Sequence, residues 1–168
     1  MKTILTGLFC FAVTCSLAAA QGAEAEATGD QAFVNLAAET DMTEAHLGQL
    51  AANQASSQAV KDYAQMLVTD HTADYDKITA VATKAGLTVP KGLDAKHDKM
   101  AMSFEKLKGA AFDRHYIHDM VAGHEAAIAA YEKESKDGQN ADLKAYAAAT
   151  LPTLEKHRDG AKALLKAK

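Results

Sequence analysis

The chain has little of several residue types that mark particular structural classes. Its 168 residues include no tryptophan, two prolines and two cysteines, and aromatic residues make up 6% of the whole. Both cysteines, Cys10 and Cys15, lie in an apolar N-terminal run, so the chain beyond residue 20 has no thiol. A disulfide framework and thiol catalysis are therefore excluded for that part.

Two families of catalytic motif are also missing. The sequence contains neither a glycine-rich phosphate loop nor a Gly-x-Ser-x-Gly turn. Phosphoryl-transfer and serine-hydrolase chemistry built on those motifs can be set aside.

The charge balance is mildly acidic, with 18 basic against 22 acidic residues and a net charge of −4. Without residues 1–20, which contain Lys2 and no acidic residue, the balance becomes 17 − 22 = −5. An acidic domain is poorly suited to a polyphosphate backbone, so we expect no nucleic-acid partner.

Residues 1–20 have the layout of a secretory signal peptide. Lys2 precedes an apolar run, and Ala18-Ala19-Ala20 supplies small residues for cleavage before Gln21. Residues 21–29 are small, acidic or polar and are expected to form a flexible leader. This pattern predicts export to the periplasm or cell envelope, with no transmembrane span in the mature chain.

Residues 30–168 show the periodicity of amphipathic helices and no alternation typical of strands. We expect one helix from Asp30, its N-cap, to about Asn53 and a second from Ser56 or Ser57 to about Ala85. A third stretch runs from Ala95 to Asp137 with an interruption near Gly109, and a fourth follows it. Alanine-rich helices with short connections predict an all-α fold, an antiparallel four-helix bundle.

One polar residue falls on the apolar stripe of each predicted helix. These residues are Glu44, His71, His124 and His157. Burial of such groups costs several kcal/mol unless they are hydrogen-bonded, paired or bound to a metal. Three imidazoles and a carboxylate suit a divalent transition metal such as zinc, copper or iron, so the four are candidate ligands.

Three further residues lie close to this set in helical spacing. Asp74 follows His71 by three residues, Met120 precedes His124 by four, and Asp70 adjoins His71. Each is a candidate for a further ligand or for a group that orients a histidine.

Two other interpretations of the four residues remain open. Glu44 could hydrogen-bond the histidines in a purely structural network that fixes helix register. Alternatively, an open coordination position would allow an oxidase-type enzyme. The sequence has no Glu-x-x-His pair, which argues against a conventional di-iron centre.

Several segments together resemble the bacterial domain-of-unknown-function family 4142 over about residues 31–165. They are Phe33-Val34-x-x-Ala37-Ala38, Leu47-Gly48-x-Leu50-Ala51, Val60-Lys61-x-Tyr63-Ala64-x-Met66-x-Val68-x-Asp70-His71, Phe112-Asp113-x-x-Tyr116 through Met120-Val121-x-x-His124, and Thr150-Leu151-Pro152-Thr153-Leu154-x-x-His157. The resemblance implies a ferritin-like bundle in an exported protein and carries no catalytic role for any residue.

Our leading hypothesis is thus an exported ferritin-like bundle that binds one metal ion through Glu44, His71, His124 and His157. Its role would be metal sequestration, trafficking or stress protection, and a binding protein is favoured over an enzyme. The alternatives are a non-catalytic envelope interaction protein with a structural Glu/His network and a metal-dependent oxidase-type enzyme.

Overall fold

The computed structural model describes residues 29–167, and within that range the chain is all-helical with no strand. The predicted signal peptide, residues 1–20, lies outside the described residues, as does the predicted leader except for Gly29. Residues 29–167 form five helices: α1 Asp30–Gln54, α2 Gln58–Lys84, α3 Ala95–Glu105, α4 Gly109–Asp137 and α5 Ala141–Lys166.

The four long helices pack as two connected pairs. Residues 55–57 join α1 to α2 and residues 138–140 join α4 to α5, and each pair is in extensive contact. Helix α1 also contacts α4, and α2 contacts α5, while the short α3 lies against α1. This arrangement leaves one face of every long helix turned towards a shared interior.

The interruption predicted near Gly109 separates two helices. Helix α3 ends at Glu105, and α4 begins at Gly109, whose φ of 60° is a left-handed value that favours glycine. The N-cap of α3 is Asp94, whose side chain accepts a hydrogen bond from the backbone N–H of His97 at 2.8 Å.

The first helix begins differently from the prediction. Gly29 occupies the N-cap position, and Asp30 is the first helical residue. The Asp30 carboxylate instead accepts the backbone N–H groups of Gln139 and Asn140 at 2.9 and 2.8 Å. The Asp30 side chain, which local spacing predicts to cap α1, therefore forms a tertiary contact instead.

In the part of the chain that the structure describes, the apolar core consists of two clusters. The Leu67 cluster includes Leu47, Ala51, Leu67, Phe104, Phe112, Tyr116, Met120 and Ala161. The Ile78 cluster includes Phe33, Val34, Ile78, Ala127, Ile128, Tyr131, Leu143 and Leu154.

A layer of buried polar residues lies between the two apolar clusters. Along α2, His71 falls between Leu67 and Ile78, each a member of a different cluster. Along α4, His124 similarly falls between Met120 and Ala127. Helices α1 and α5 change clusters around Glu44 and His157 in the same way, so the fold brings the four residues to one level.

None of the helices described here combines the length and the apolar character that crossing a membrane requires.

Candidate metal centre

The structure brings together all four residues that the apolar stripes singled out. Glu44, His71, His124 and His157 retain 5%, 2%, 0% and 1% of their exposure. The imidazole ring centroids lie 5.2–5.6 Å apart. One nitrogen of each ring lies within 4.8 Å of a nitrogen of the other two, close enough for three ligands of one ion.

Each histidine uses one ring nitrogen to contact a neighbouring acceptor. His71 Nδ1 lies 2.8 Å from Asp41 Oδ1, and His157 Nε2 lies 2.9 Å from Asp70 Oδ2. His124 Nδ1 lies 2.8 Å from the backbone carbonyl oxygen of Met120. Since a carbonyl oxygen only accepts, Nδ1 of His124 carries the hydrogen and Nε2 presents a lone pair when the ring is neutral.

The second nitrogen of each imidazole has no hydrogen-bond partner among the described residues. These atoms are His71 Nε2, His124 Nε2 and His157 Nδ1, and Glu44 Oε2 is likewise without a partner. Oε2 lies 3.0 Å from His71 Nε2 and 3.4 Å from His124 Nε2, but neither contact is a hydrogen bond. Ligands of a tetrahedral metal bound at about 2.1 Å stand about 3.4 Å apart, so this spacing suits coordination.

The buried charges interact strongly. Burial opposes ionisation of Glu44, but the imidazoles of His71 and His124 outweigh it and hold the pKa of Glu44 below its ordinary value. Burial also disfavours the His71 cation, yet Glu44 and Asp41 raise its pKa to about 10. Without a metal, a proton on His71 therefore compensates the carboxylate of Glu44.

The two other groups respond mainly to burial. Burial raises the pKa of Asp41 to about 7, although the hydrogen bond to His71 opposes the shift. Burial also lowers the pKa of His157, against the influence of Asp70. A neutral imidazole is the form that binds a metal, so the environment of His157 favours ligation.

The three candidate accessory residues occupy different positions. Asp70 contacts His157, and Met120 contacts His124 through its backbone while its side chain joins the Leu67 cluster. Asp74 is buried but accepts a hydrogen bond from Tyr146 at 2.6 Å rather than contacting a histidine.

Sequence reasoning missed Asp41, which is 2% exposed and contacts His71. The available signal was its position three residues before Glu44, which places both carboxylates on one face of α1.

A second group with metal-ligating atoms lies nearer the surface. Glu39, Asp94 and His97 bring ligand atoms within 4.8 Å. In this group His97 Nδ1 already lies 2.7 Å from Asp94 Oδ1, within the capping turn of α3. The group is satisfied internally, in contrast to the unpartnered nitrogens of the core.

Residues 29–167 thus form an all-helical fold with a buried cluster of three histidines and one glutamate. The chain belongs to the DUF4142 family, described as a domain of unknown function, which matches residues 15–164. No curated protein and no solved structure matches the chain.

Proposed function

We propose that this protein binds one divalent transition-metal ion through His71, His124, His157 and Glu44, and that it serves metal sequestration, trafficking or stress protection. Zinc, copper and iron are the candidate ions because imidazole and carboxylate ligands suit all three. The observation that carries the proposal is the set of three buried imidazole nitrogens without hydrogen-bond partners in residues 29–167, two of which lie 3.0 and 3.4 Å from Glu44 Oε2.

The contacts of the other ring nitrogen of each histidine support metal ligation. A metal-binding histidine commonly donates its other N–H to a carboxylate or a backbone carbonyl, which fixes the ring orientation and tautomer. Asp41, the Met120 carbonyl and Asp70 supply such contacts for His71, His124 and His157 respectively. In a network that only fixes helix register, we would expect the inner nitrogens to form hydrogen bonds, and none of the three does so within the described part of the chain.

We also propose that the helices form an antiparallel, ferritin-like four-helix bundle and that the protein is exported. An antiparallel four-helix bundle of ferritin-like type accounts for two pairs of long helices with short connections, with α3 as an addition. The signal-like sequence of residues 1–20 supports export to the periplasm or cell envelope.

The competing function is that of a non-catalytic interaction protein with a structural Glu/His network. The observation in its favour is the environment of His71, whose cation would be stabilised by both Glu44 and Asp41. In that case a proton takes the place of the metal, and the cluster is indifferent to metal ions.

Elemental analysis and calorimetry of the purified chain, prepared without an affinity tag or chelator, separate the two functions. Metal binding predicts about one tightly held ion per chain, with a rise in melting temperature on titration with zinc, copper or iron. The double variant His71→Ala with His124→Ala should lose this ion and retain its helical circular dichroism signal.

The matched control is His115→Ala with His118→Ala, which removes two exposed histidines from α4. It should keep the ion and the thermal shift. Unchanged metal stoichiometry in the core double variant, or no uptake by the wild-type chain, would favour the interaction protein.

A further inference from the structure

The groups around the candidate centre differ sharply in their access to solvent. The side chains of Asp41, Glu44, His71 and His124 are at most 6% exposed. The side chain of Asp70, which contacts His157, is 34% exposed. Among these groups, Asp70 alone links the cluster to water.

Asp70 reaches the cluster through a single contact at the seam between α2 and α5. Its Oδ2 atom lies 2.9 Å from His157 Nε2, while His157 Nδ1 is buried without a partner among the described residues. The imidazole of His157 therefore has one nitrogen at the exposed carboxylate and the other in the interior. A change in the side-chain conformation of His157 would break its contact with Asp70 and open a path from the exposed carboxylate to the interior.

The backbone on both sides of this seam is held in place. The hydroxyl of Tyr63 on α2 donates to the carbonyl oxygen of His157 at 3.0 Å. At Gly160 the two helices approach so closely that a β-carbon would lie 3.2 Å from Cε2 of Tyr63. These two contacts of Tyr63 favour entry of an ion by movement of the His157 side chain over separation of the two helices.

We infer that Asp70 and His157 form the gate of the metal centre: a divalent transition-metal cation binds first at the exposed Asp70 carboxylate, and it reaches the inner ligands when the His157 side chain turns away from Asp70. This inference rests on the metal-binding function proposed above. In this inference Asp70 controls how fast the metal ion enters the site, which is a different role from orienting His157.

Rapid mixing of Co²⁺ with the metal-free protein tests the gate, since the visible absorbance of Co²⁺ reports its coordination. Association and chelator-driven dissociation are measured separately for the wild type and for Asp70→Asn. A gating carboxylate predicts that the association rate falls at least about tenfold, the scale of rate effects that local charge produces. Asp70→Glu, which restores a carboxylate, should recover most of the rate.

The matched control is Asp76→Asn, which removes the same charge from an exposed position on α2. It should leave the association rate close to that of the wild type. Equal slowing in both variants would show a general charge effect and overturn the gate.

An unchanged association rate in Asp70→Asn together with faster dissociation would also overturn it, because that pattern belongs to a residue that only orients His157. Failure of the wild-type chain to bind any Co²⁺, zinc, copper or iron would instead overturn the metal-binding function, and the gate with it.

Discussion

At the scale of single residues, the candidate centre depends on groups that are themselves not ligands. Asp41 contacts His71 at 2.8 Å from a position that is almost fully buried. Such a contact fixes the ring and increases the basicity of the inner nitrogen. In the proposed site, the carboxylate would therefore contribute to metal affinity without touching the ion.

Asp41→Asn tests this contribution. The neutral amide has a similar shape but is a weaker acceptor for His71, so we expect metal affinity to fall by about 10–100-fold. Competition titration against a chromophoric chelator measures the change.

Asp74→Asn is the matched control for that variant. Asp74 is also buried, yet it accepts from Tyr146 and contacts no histidine of the cluster. Its replacement should leave metal affinity nearly unchanged. An equal loss in the two variants would show that buried charge, and not orientation of His71, governs affinity.

At the scale of helices, the closeness of α1 and α2 depends on one glycine. A β-carbon at Gly48 would lie 2.6 Å from Cγ2 of Val68 and 2.9 Å from the backbone oxygen of Ala64. The backbone oxygen cannot move aside without a shift of α2. Since Glu44 and His71 lie on these same two helices, this spacing also sets the geometry of the centre.

Gly48→Ala should therefore destabilise the protein despite the better helix propensity of alanine. Overpacking of this kind costs about 1–3 kcal/mol. Urea unfolding monitored by circular dichroism measures the loss.

Gly123→Ala provides the comparison within α4. Its β-carbon would lie 3.6 Å from Glu44 Oε1, which is an ordinary contact. The better helix propensity of alanine should therefore raise the free energy of unfolding by about 0.5–1 kcal/mol. A stabilised Gly48→Ala variant would contradict the close-packing account.

How much the sequence could predict differs between the elements. The apolar spacing that identified α1 and α2 also placed Glu44 and His71 on interior faces, because one periodicity determines both. Asp30 shows the limit of this reasoning, since its carboxylate accepts the backbone N–H groups of residues 139 and 140, more than a hundred positions away. Local pattern cannot anticipate such a contact.

At the scale of the whole molecule, the buried charges couple global stability to pH. The pKa of His71 is raised to about 10 from an ordinary value near 6.5, because Glu44 and Asp41 outweigh burial. The folded state therefore holds this proton more tightly than the unfolded state. The resulting stability is complete below about pH 6.5 and is lost as the pH rises through about 10.

We expect the free energy of unfolding of the metal-free protein to fall by a few kcal/mol between about pH 7 and pH 9.5. Asp41 has a pKa of about 7, so its ionisation costs stability mainly below this window. Urea unfolding in the presence of a chelator measures the slope, and His71→Gln should flatten it.

Saturating metal should change the sign of this dependence. A ligand nitrogen must lose its proton, so metal-linked stabilisation grows as the pH rises. A metal-free protein whose stability is constant or increases over the window would contradict the proposed charge state of His71.

The sequence by itself determined the helical class, the approximate extent of the helices and the four polar residues on their apolar stripes. These follow from periodicity, which acts over a few turns of chain. Only the tertiary structure decided which atoms meet: Asp41 at His71, Asp70 at His157, and Asp74 at Tyr146 instead of a histidine. The physical reason is that a helical stripe fixes the face of a residue, whereas the rotation and height of neighbouring helices, set by packing such as that at Gly48, fix its partners.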